Sequence, residues 1–294
     1  MNYQKKKIAE APRHVPFSTA VQVIFGGLSN RIGWPIFGFG MIFFWFFSFR
    51  SELTHLPLYF GKTVTVPGKV NQVRETGTVV NEQSIEEYYF SFWTKEGEKL
   101  EGSSFGTDYQ YHVGSKVSVE YLKSNPEYAR IEGCRTAENG IAIGLLPLVI
   151  PLIGLVMVTI ALNGGIRSYW LLKKGVAGYG KLTRKKATGR EINDQVIYKM
   201  FFKFKAIDGN EYMAVTHTHE TDALEDEEKE VLLYNPQKPR EGILFDNLPG
   251  SPQLNELGEI IPATDASVTT SLLIPVISLL GNFFYLFYHL HQGL

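Results

Sequence analysis

Long apolar stretches alternate with polar stretches along the chain. Three apolar segments, at residues 32–49, 139–166 and 266–288, contain no charged side chain. A helix needs about 20 mostly apolar residues to cross the hydrocarbon core of a bilayer. The second and third segments exceed that length, and the first is shorter but dense in aromatic side chains. This pattern predicts three transmembrane helices.

The polar stretches between these segments contain short alternating runs that are separated by turn residues. The strands predicted in the first stretch are 69–73, 76–80, 88–93, 99–103, 117–121 and 128–131. Those predicted in the second are 179–183, 197–206, 211–216 and 231–234. Five or six antiparallel strands in about 65 residues predict a small barrel or sandwich.

The two polar stretches are copies of each other, offset by about 112 residues. Ten of the residues between positions 68 and 100 are identical to the residue 112 positions later, including Phe90 with Phe202 and Gly97 with Gly209. Each copy follows an apolar segment. The sequence therefore predicts a repeated unit, in which a membrane helix precedes a small antiparallel β module.

Shared motifs relate both copies to a known family. Each copy has an aromatic strand before an acidic-Gly turn, YYFSFWTKEG and MFFKFKAIDG, and the first continues with VSVEYLKSNPEYARI. These motifs resemble the domain-of-unknown-function family numbered 3592, found in bacterial membrane proteins. The second copy departs from the first, with Asp226-Glu227 in place of Val113-Gly114 and Ile243 in place of Arg130. The resemblance covers roughly half the chain and implies membrane-linked β modules, with no assigned activity and no site residues.

These observations divide the chain into eight segments. In order, we expect a cytoplasmic N-terminus with an interfacial helix (1–31), transmembrane helix 1 (32–49), an extracytoplasmic β module (50–138), transmembrane helix 2 (139–166), a cytoplasmic β module (167–246), a linker (247–265), transmembrane helix 3 (266–288) and a C-terminal tail (289–294). This organisation is that of a multi-pass protein of the inner or plasma membrane.

Basic residues near the membrane segments predict the orientation, because cytoplasmic loops carry an excess of Lys and Arg. The N-terminal flank is basic, and eight basic residues with no acid lie between positions 163 and 190. Both regions are therefore expected in the cytoplasm, facing an anionic leaflet. A helical hairpin through residues 139–172 would instead keep both modules on one side. Two passes need about 40 residues, so a single pass is preferred.

Few residues outside the membrane segments suggest a metal site, a reactive group or a docking site. His217 and His219, together with Glu220 or Asp222, have strand-like spacing that suits a metal such as zinc. The first copy has no equivalent histidines, so a solvated loop is the preferred interpretation and no metal or other cofactor is assigned. Cys134 is the single cysteine, which excludes an internal disulfide. Glu220–Glu230 holds seven acids, which suit a hydrated surface or a docking site for a basic partner or for the basic run in the same chain.

No catalytic motif appears, and no charge lies inside the apolar segments to indicate an ion path. The preferred function is a non-catalytic, membrane-anchored scaffold or interaction protein of the bacterial envelope. A ligand-sensing transducer, with an outer binding module and an inner reporting module, is the alternative. The expected partners are the lipid bilayer and other membrane or envelope proteins, without nucleic acid, and the sequence leaves the oligomeric state open.

Overall fold

The structure, a computed structural model, describes residues 7–80, 82–107, 110–192, 194–218, 221, 224–225 and 229–291. The α-helices in these ranges are α1 (Phe17–Phe25), α2 (Leu28–Ser48), α3 (Leu56–Phe60), α4 (Ile141–Leu145), α5 (Val149–Lys174) and α6 (Asp265–His291).

Three helical segments are long and apolar enough to cross a membrane, as the sequence predicted. They are Leu28–Ser48, Ile141–Lys174 and Asp265–His291. The middle segment joins α4 to α5 through a 3-10 turn at Leu146–Leu148 and runs on to Lys174, beyond the predicted end at residue 166. These helices are consistent with a multi-pass membrane protein.

Each of the two polar stretches forms one five-stranded antiparallel module. The first contains β1 (Thr63–Val80), β2 (Gln83–Trp93), β3 (Lys99–Thr107), β4 (Lys116–Leu122) and β5 (Asn125–Ile131). The second contains β6 (Val176–Ile192), β7 (Gln195–Lys205), β8 (Glu211–Thr218), β9 (Lys229–Asn235) and β10 (Lys238–Leu244). The chain forms two compact units, each built around one module.

The two modules have the same topology. The strand order is β3-β2-β1-β4-β5 in the first and β8-β7-β6-β9-β10 in the second. The outermost strands of each sheet lie against each other, so each sheet is nearly closed into a barrel. In each module the long first strand pairs with the fourth strand through its first half and with the second strand through its second half. This is also the strand order of the five-stranded OB barrel, which hosts many functions and so implies none here.

The duplication extends to irregularities of the backbone. The β1–β2 pairing shifts register after Val70 and again after Glu75. The β6–β7 pairing shifts after Leu182 and Ala187, each 112 residues later. Bulges bend a strand and increase its twist, so the same two bends shape both barrels. The predicted repeat is therefore confirmed at the level of strand register.

Equivalent aromatic side chains fill both barrels. Phe90 and Phe202 are each 0% exposed. Phe92 and Phe204, two residues further along the same strands, are buried with them. A buried tyrosine also fixes the second turn of each module. The hydroxyl of Tyr121 accepts a hydrogen bond from a backbone N–H of the β2–β3 turn at 3.1 Å, and that of Tyr234 accepts one from the β7–β8 turn at 3.0 Å.

Two strand predictions differ from the structure. Residues 69–73 and 76–80, predicted as separate strands, belong to the single strand β1. Gly77 has a φ of 78° and lies within the second bulge, so the chain changes direction there without ending the strand. The fifth strand of the second module, β10, was not predicted, because its sequence KPREGIL lacks the alternation that marks a half-buried strand.

A layer of apolar side chains joins the end of α5 to the second module. Its buried members are Val23, Leu171, Leu172, Val231, Leu233, Phe245, Leu248 and Ile260. Arg13 caps the C-terminal end of α5, since its Nη1 donates to the carbonyl oxygens of Leu172 at 3.0 Å and Gly175 at 2.9 Å. These contacts satisfy carbonyls that a helix end leaves without partners.

Candidate functional site

The outer surface of β6, β7 and β8 carries a cluster of basic side chains. The sequence KMFFKFK on β7 alternates, so Met200, Phe202 and Phe204 are buried and the residues between them point outward. We call the outward surface of these strands the basic face. Its cationic members are Lys181, Arg184, Lys186, Lys199, Lys203 and Lys205.

Strand register places like charges opposite each other on the basic face. Lys186 is the cross-strand partner of Lys199, and Lys181 is the partner of Lys203. Between these pairs, Arg184 lies opposite Phe201, with its guanidinium carbon 5.6 Å from the ring centroid. Like charges directly opposite each other in a sheet are destabilising. The face therefore concentrates positive charge at a cost in stability.

Glu211 moderates part of this charge. Lys203 forms an ion pair with Glu211 at 2.6 Å, and both side chains are about half exposed. Apolar side chains of β8 lie beside Phe201, its partner Val215 among them. The face thus combines a small apolar centre with a surrounding positive charge.

The first module provides an internal comparison. The six cationic positions of the basic face correspond, at the offset of 112, to Lys69, Gln72, Arg74, Glu87, Ser91 and Trp93. Arg74 and Glu87 are paired there, with Arg74 Nε donating to Glu87 Oε2 at 2.9 Å. The equivalent positions of the first module carry two cations and one acid, whereas those of the second carry six cations. The concentrated charge is therefore not a requirement of the fold.

The basic face points away from the end of α5. Val231 and Leu233 project outward from β9 into the apolar layer at that helix end, while Leu232 and Tyr234 project into the barrel. In the nearly closed order β10-β9-β6-β7-β8, the strands opposite β9 are β7 and β8. The basic run from 167 to 190 is predicted from sequence to lie as a whole against the leaflet. The structure divides that run between the end of α5 and a strand that faces elsewhere.

Lys185 joins the basic run to the described residues Thr221 and Glu225 of the acidic segment Glu220–Glu230. Lys185 forms an ion pair with Glu225 and donates to the hydroxyl of Thr221 at 3.1 Å. Lys185 is the register partner of the buried Met200, so this contact lies outside the basic face.

The candidate metal ligands are only partly described. His217 is exposed at the end of β8, opposite Lys199, and a neighbouring ammonium disfavours a cation. His219 lies outside the described residues, as do Glu220 and Asp222. Within the part of the chain that the structure describes, no group of three His, Cys, Asp or Glu side chains is placed to hold a metal ion.

The first module contains a buried cluster of polar side chains beside α3. Glu52 is 8% exposed and accepts a hydrogen bond from the hydroxyl of Tyr59. Burial, followed by this bond to a carboxylate, raises the pKa of Tyr59 to about 12. Arg130 stacks on the Tyr59 ring, 4.6 Å from its centroid, and is paired with Glu120. These partners tie α3 to β4 and β5, a structural role for which the cluster is sufficient.

No family model matches the chain, and no curated protein matches it. The resemblance to the family numbered 3592 thus stays a prediction. The basic face escapes sequence reasoning because β7 supplies three of its cations, and two of them, Lys199 and Lys203, lie opposite lysines of β6 only through strand pairing.

Proposed function

We propose that this protein is a non-catalytic, membrane-anchored interaction protein of the bacterial envelope. Its second module recruits an acidic partner protein through the basic face. The observation that carries the proposal is the opposition of Lys186 to Lys199 and of Lys181 to Lys203. A bound acidic surface relieves both repulsions, and complementary charge also accelerates encounter and selects the partner.

The chemistry of the face favours protein over lipid as the occupant. If α5 crosses the bilayer, its end marks the membrane surface, and the basic face points away from that end. Attraction to a charged leaflet fades within a Debye length, about 8 Å at physiological salt. The leaflet is therefore poorly placed to neutralise these lysines.

The face also suits protein better than nucleic acid. Sheets that bind single-stranded nucleic acid present several aromatic side chains on which successive bases stack. Phe201 is the one aromatic residue among the outward positions 199, 201, 203 and 205 of β7, and its β8 neighbours are the aliphatic Val215 and Met213. An acidic segment with one or two apolar side chains matches this arrangement.

A binding measurement on the full-length protein in lipid nanodiscs tests the proposal. We expect a fluorescent peptide of alternating Glu and Leu to bind in low salt and to weaken as salt is raised. The double variant Lys186→Gln/Lys199→Gln should bind about tenfold more weakly. Lys238→Gln/Arg240→Gln removes the same charge from exposed positions on β10 and should leave affinity nearly unchanged. Equal losses in the two variants, or tighter binding of a single-stranded oligonucleotide, would contradict the proposal.

A cross-linking experiment in cells tests for the natural partner. A photoreactive amino acid at Val215, in the centre of the face, should form a discrete adduct with another protein. The equivalent position of the first module, Ser103, is the matched control. An adduct that forms at both positions, or that survives the double lysine substitution unchanged, would speak against recognition by the basic face.

The sensing alternative has one structural feature in its favour. A cavity of about 210 Å³ opens between β2, β3 and the segment after β5, and Gln110 and Arg135 contribute polar groups to its lining. Pockets for small molecules usually measure about 300–1,000 Å³. The cavity is small for such a ligand, so the interaction protein remains the preferred function.

A further inference from the structure

A groove of about 610 Å³ lies beside the C-terminal end of α5. The last turns of α5 form one wall, and the β9–β10 turn at 235–237 forms the other. Arg167, Trp170 and Lys174 line the helical wall. Residues three and four apart share one face of a helix, so these three side chains converge on the groove.

The groove carries a surplus of positive charge. Arg167 Nη2 donates to the backbone oxygen of Glu241 at 2.8 Å and lies 3.1 Å from Glu241 Oε2. A guanidinium has five N–H donors, and these two contacts use one of its terminal nitrogens. The ammonium of Lys174 stands 4.8 Å from the centroid of the Trp170 ring. Two cations therefore face one acid, and an aromatic ring lies beside Lys174.

An apolar stripe runs from the groove along α5. Val156 and Ile160 are 58% and 66% exposed, and they lie on the same helical face as Arg167. Gly164, one turn before Arg167, leaves a notch in the stripe, since a Cβ added there would have no neighbour within 4 Å. The stripe therefore offers an exposed apolar track beside the groove.

The position along the helix suits the boundary of a bilayer. Arg167 is the first charged residue after Glu138, and the residues between them are long enough to cross a hydrocarbon core of about 30 Å. Trp side chains are enriched at the level of the headgroups. With α5 spanning the membrane, the groove lies among the headgroups and the stripe among the acyl chains.

We infer that this groove binds the phosphodiester of an anionic phospholipid, with one acyl chain along Val156, Ile160 and Gly164. Arg167 and Lys174 hold the phosphate, because guanidinium and ammonium groups form charge-assisted hydrogen bonds to its oxygens. A zwitterionic headgroup would bring its own cation towards the cationic side chains of Arg167 and Lys174, which would repel it. The site therefore selects a lipid with net negative charge, and it is separate from the basic face.

Titration of the full-length protein in a neutral detergent tests the inference. Native mass spectrometry would follow the binding of dioctanoyl phosphatidylglycerol, with dioctanoyl phosphatidylcholine and inorganic phosphate as separate arms. We expect the anionic lipid to bind at least about tenfold more tightly than either of the others. Lys174→Gln should weaken it about fivefold. Lys173→Gln is the matched control, because Lys173 is adjacent but does not line the groove, and its Nζ lies 3.4 Å from the hydroxyl of Tyr169.

Each other result overturns the inference. Equal affinity for the two lipids would remove the selectivity for charge. Comparable affinity for inorganic phosphate would identify a site for a soluble anion, without a role for the apolar stripe. Equal losses from Lys173→Gln and Lys174→Gln would indicate a diffuse attraction to the helix end. A further variant, Gly164→Leu, fills the notch and should weaken lipid binding while leaving phosphate binding unchanged.

Discussion

Lys186 and Lys199 face each other across β6 and β7 at positions that Arg74 and Glu87 occupy as an ion pair in the first module. Lys199→Glu would restore the arrangement of the first module. We expect it to raise the free energy of unfolding of the second module by about 0.5–1 kcal/mol in low salt, because a cross-strand repulsion becomes an attraction. The same change should weaken the binding of an acidic peptide.

Hydrogen exchange of β6 and β7 amides in the full-length protein measures this stability change. Lys199→Gln removes the repulsion without adding a pair, so its stability should fall between those of the wild type and Lys199→Glu. A stability gain that grows with added salt would contradict the electrostatic explanation, since salt screens exposed charges. Gains in stability with loss of binding are the usual sign of a surface kept for function.

Adjacent phenylalanines on β7 test the assigned register. Phe202 is 0% exposed inside the barrel, whereas Phe201 is partly exposed on the basic face. Phe202→Ala should cost about 3–5 kcal/mol of stability through the lost burial and the cavity left behind. Phe201→Ala should cost much less and chiefly affect binding. Chemical denaturation followed by hydrogen exchange of the second module would separate the two, and a larger cost for Phe201→Ala than for Phe202→Ala would mean that the strand has the opposite facing.

Much of this fold could be predicted because two signals agree. The apolar segments identify the three long helices by length and, for the first, by its density of aromatic side chains. The offset of 112 identifies the modules independently of any strand prediction. The strand ends were harder. Bulges near Gly77 made one strand resemble two, and β10 has too few alternating positions to be recognised.

The basic face shows why a site of this kind escapes sequence reasoning. Lys181–Arg190 stands out as a basic run, but facing lysines such as Lys199 come from the next strand and are interleaved with core aromatics. Which lysines oppose each other depends on a bulge after Leu182 that shifts the register. The direction of the face depends on β9 packing against α5, a contact between residues about 60 positions apart in sequence. Neither relationship has a local signal.

Adjacent glycines in α5 test the packing of α1. A Cβ added to Gly165 would lie 2.8 Å from the Cα of Ile24, in α1, whereas one added to Gly164 would meet nothing within 4 Å. Gly165→Ala should therefore displace α1 and cost about 1–3 kcal/mol. Gly164→Ala should be neutral or slightly stabilising, because alanine favours helix. Thermal unfolding in detergent compares them, and an equal response would mean that α1 does not contact α5 in solution.

The thiol of Cys134 should be unreactive in the folded protein. The side chain is buried, and burial raises the pKa of Cys134 from 9.0 to about 11. At pH 8 this lowers the thiolate fraction about 100-fold, and the thiolate is the reactive form. Maleimide should therefore modify Cys134 rapidly only after denaturation. Rapid modification of the native protein would place the sulfur at the surface.

The same shift makes the stability of the first module depend on pH. The folded state keeps the thiol proton to a higher pH than the unfolded state, so the contribution is complete below about pH 9 and is lost as the pH rises towards about 11. Cys134→Ala should remove this part of the alkaline loss. Denaturant unfolding at pH 8 and at pH 10 gives the loss of unfolding free energy between these two pH values. If that loss is the same in Cys134→Ala as in the wild type, another group is responsible.

The buried thiol also provides a clean background for testing the orientation of the modules. Glu98 and Asn210 occupy equivalent exposed positions after the glycine of the second turn, and the backbone oxygen of each accepts a hydrogen bond, from Thr94 at 2.8 Å and from Ala206 at 3.0 Å. Replacing either with cysteine should preserve its turn, because those bonds involve only the backbone. Each variant then differs from the wild type by one accessible thiol.

The basic flanks predict that the two turns lie on opposite sides of the membrane. On intact cells, a membrane-impermeant maleimide should label Glu98→Cys and leave Asn210→Cys unlabelled until the cells are broken. The wild type, with its thiol buried, should remain unlabelled in both conditions. Labelling of both variants from outside would place the modules on one side and favour the hairpin through 139–172.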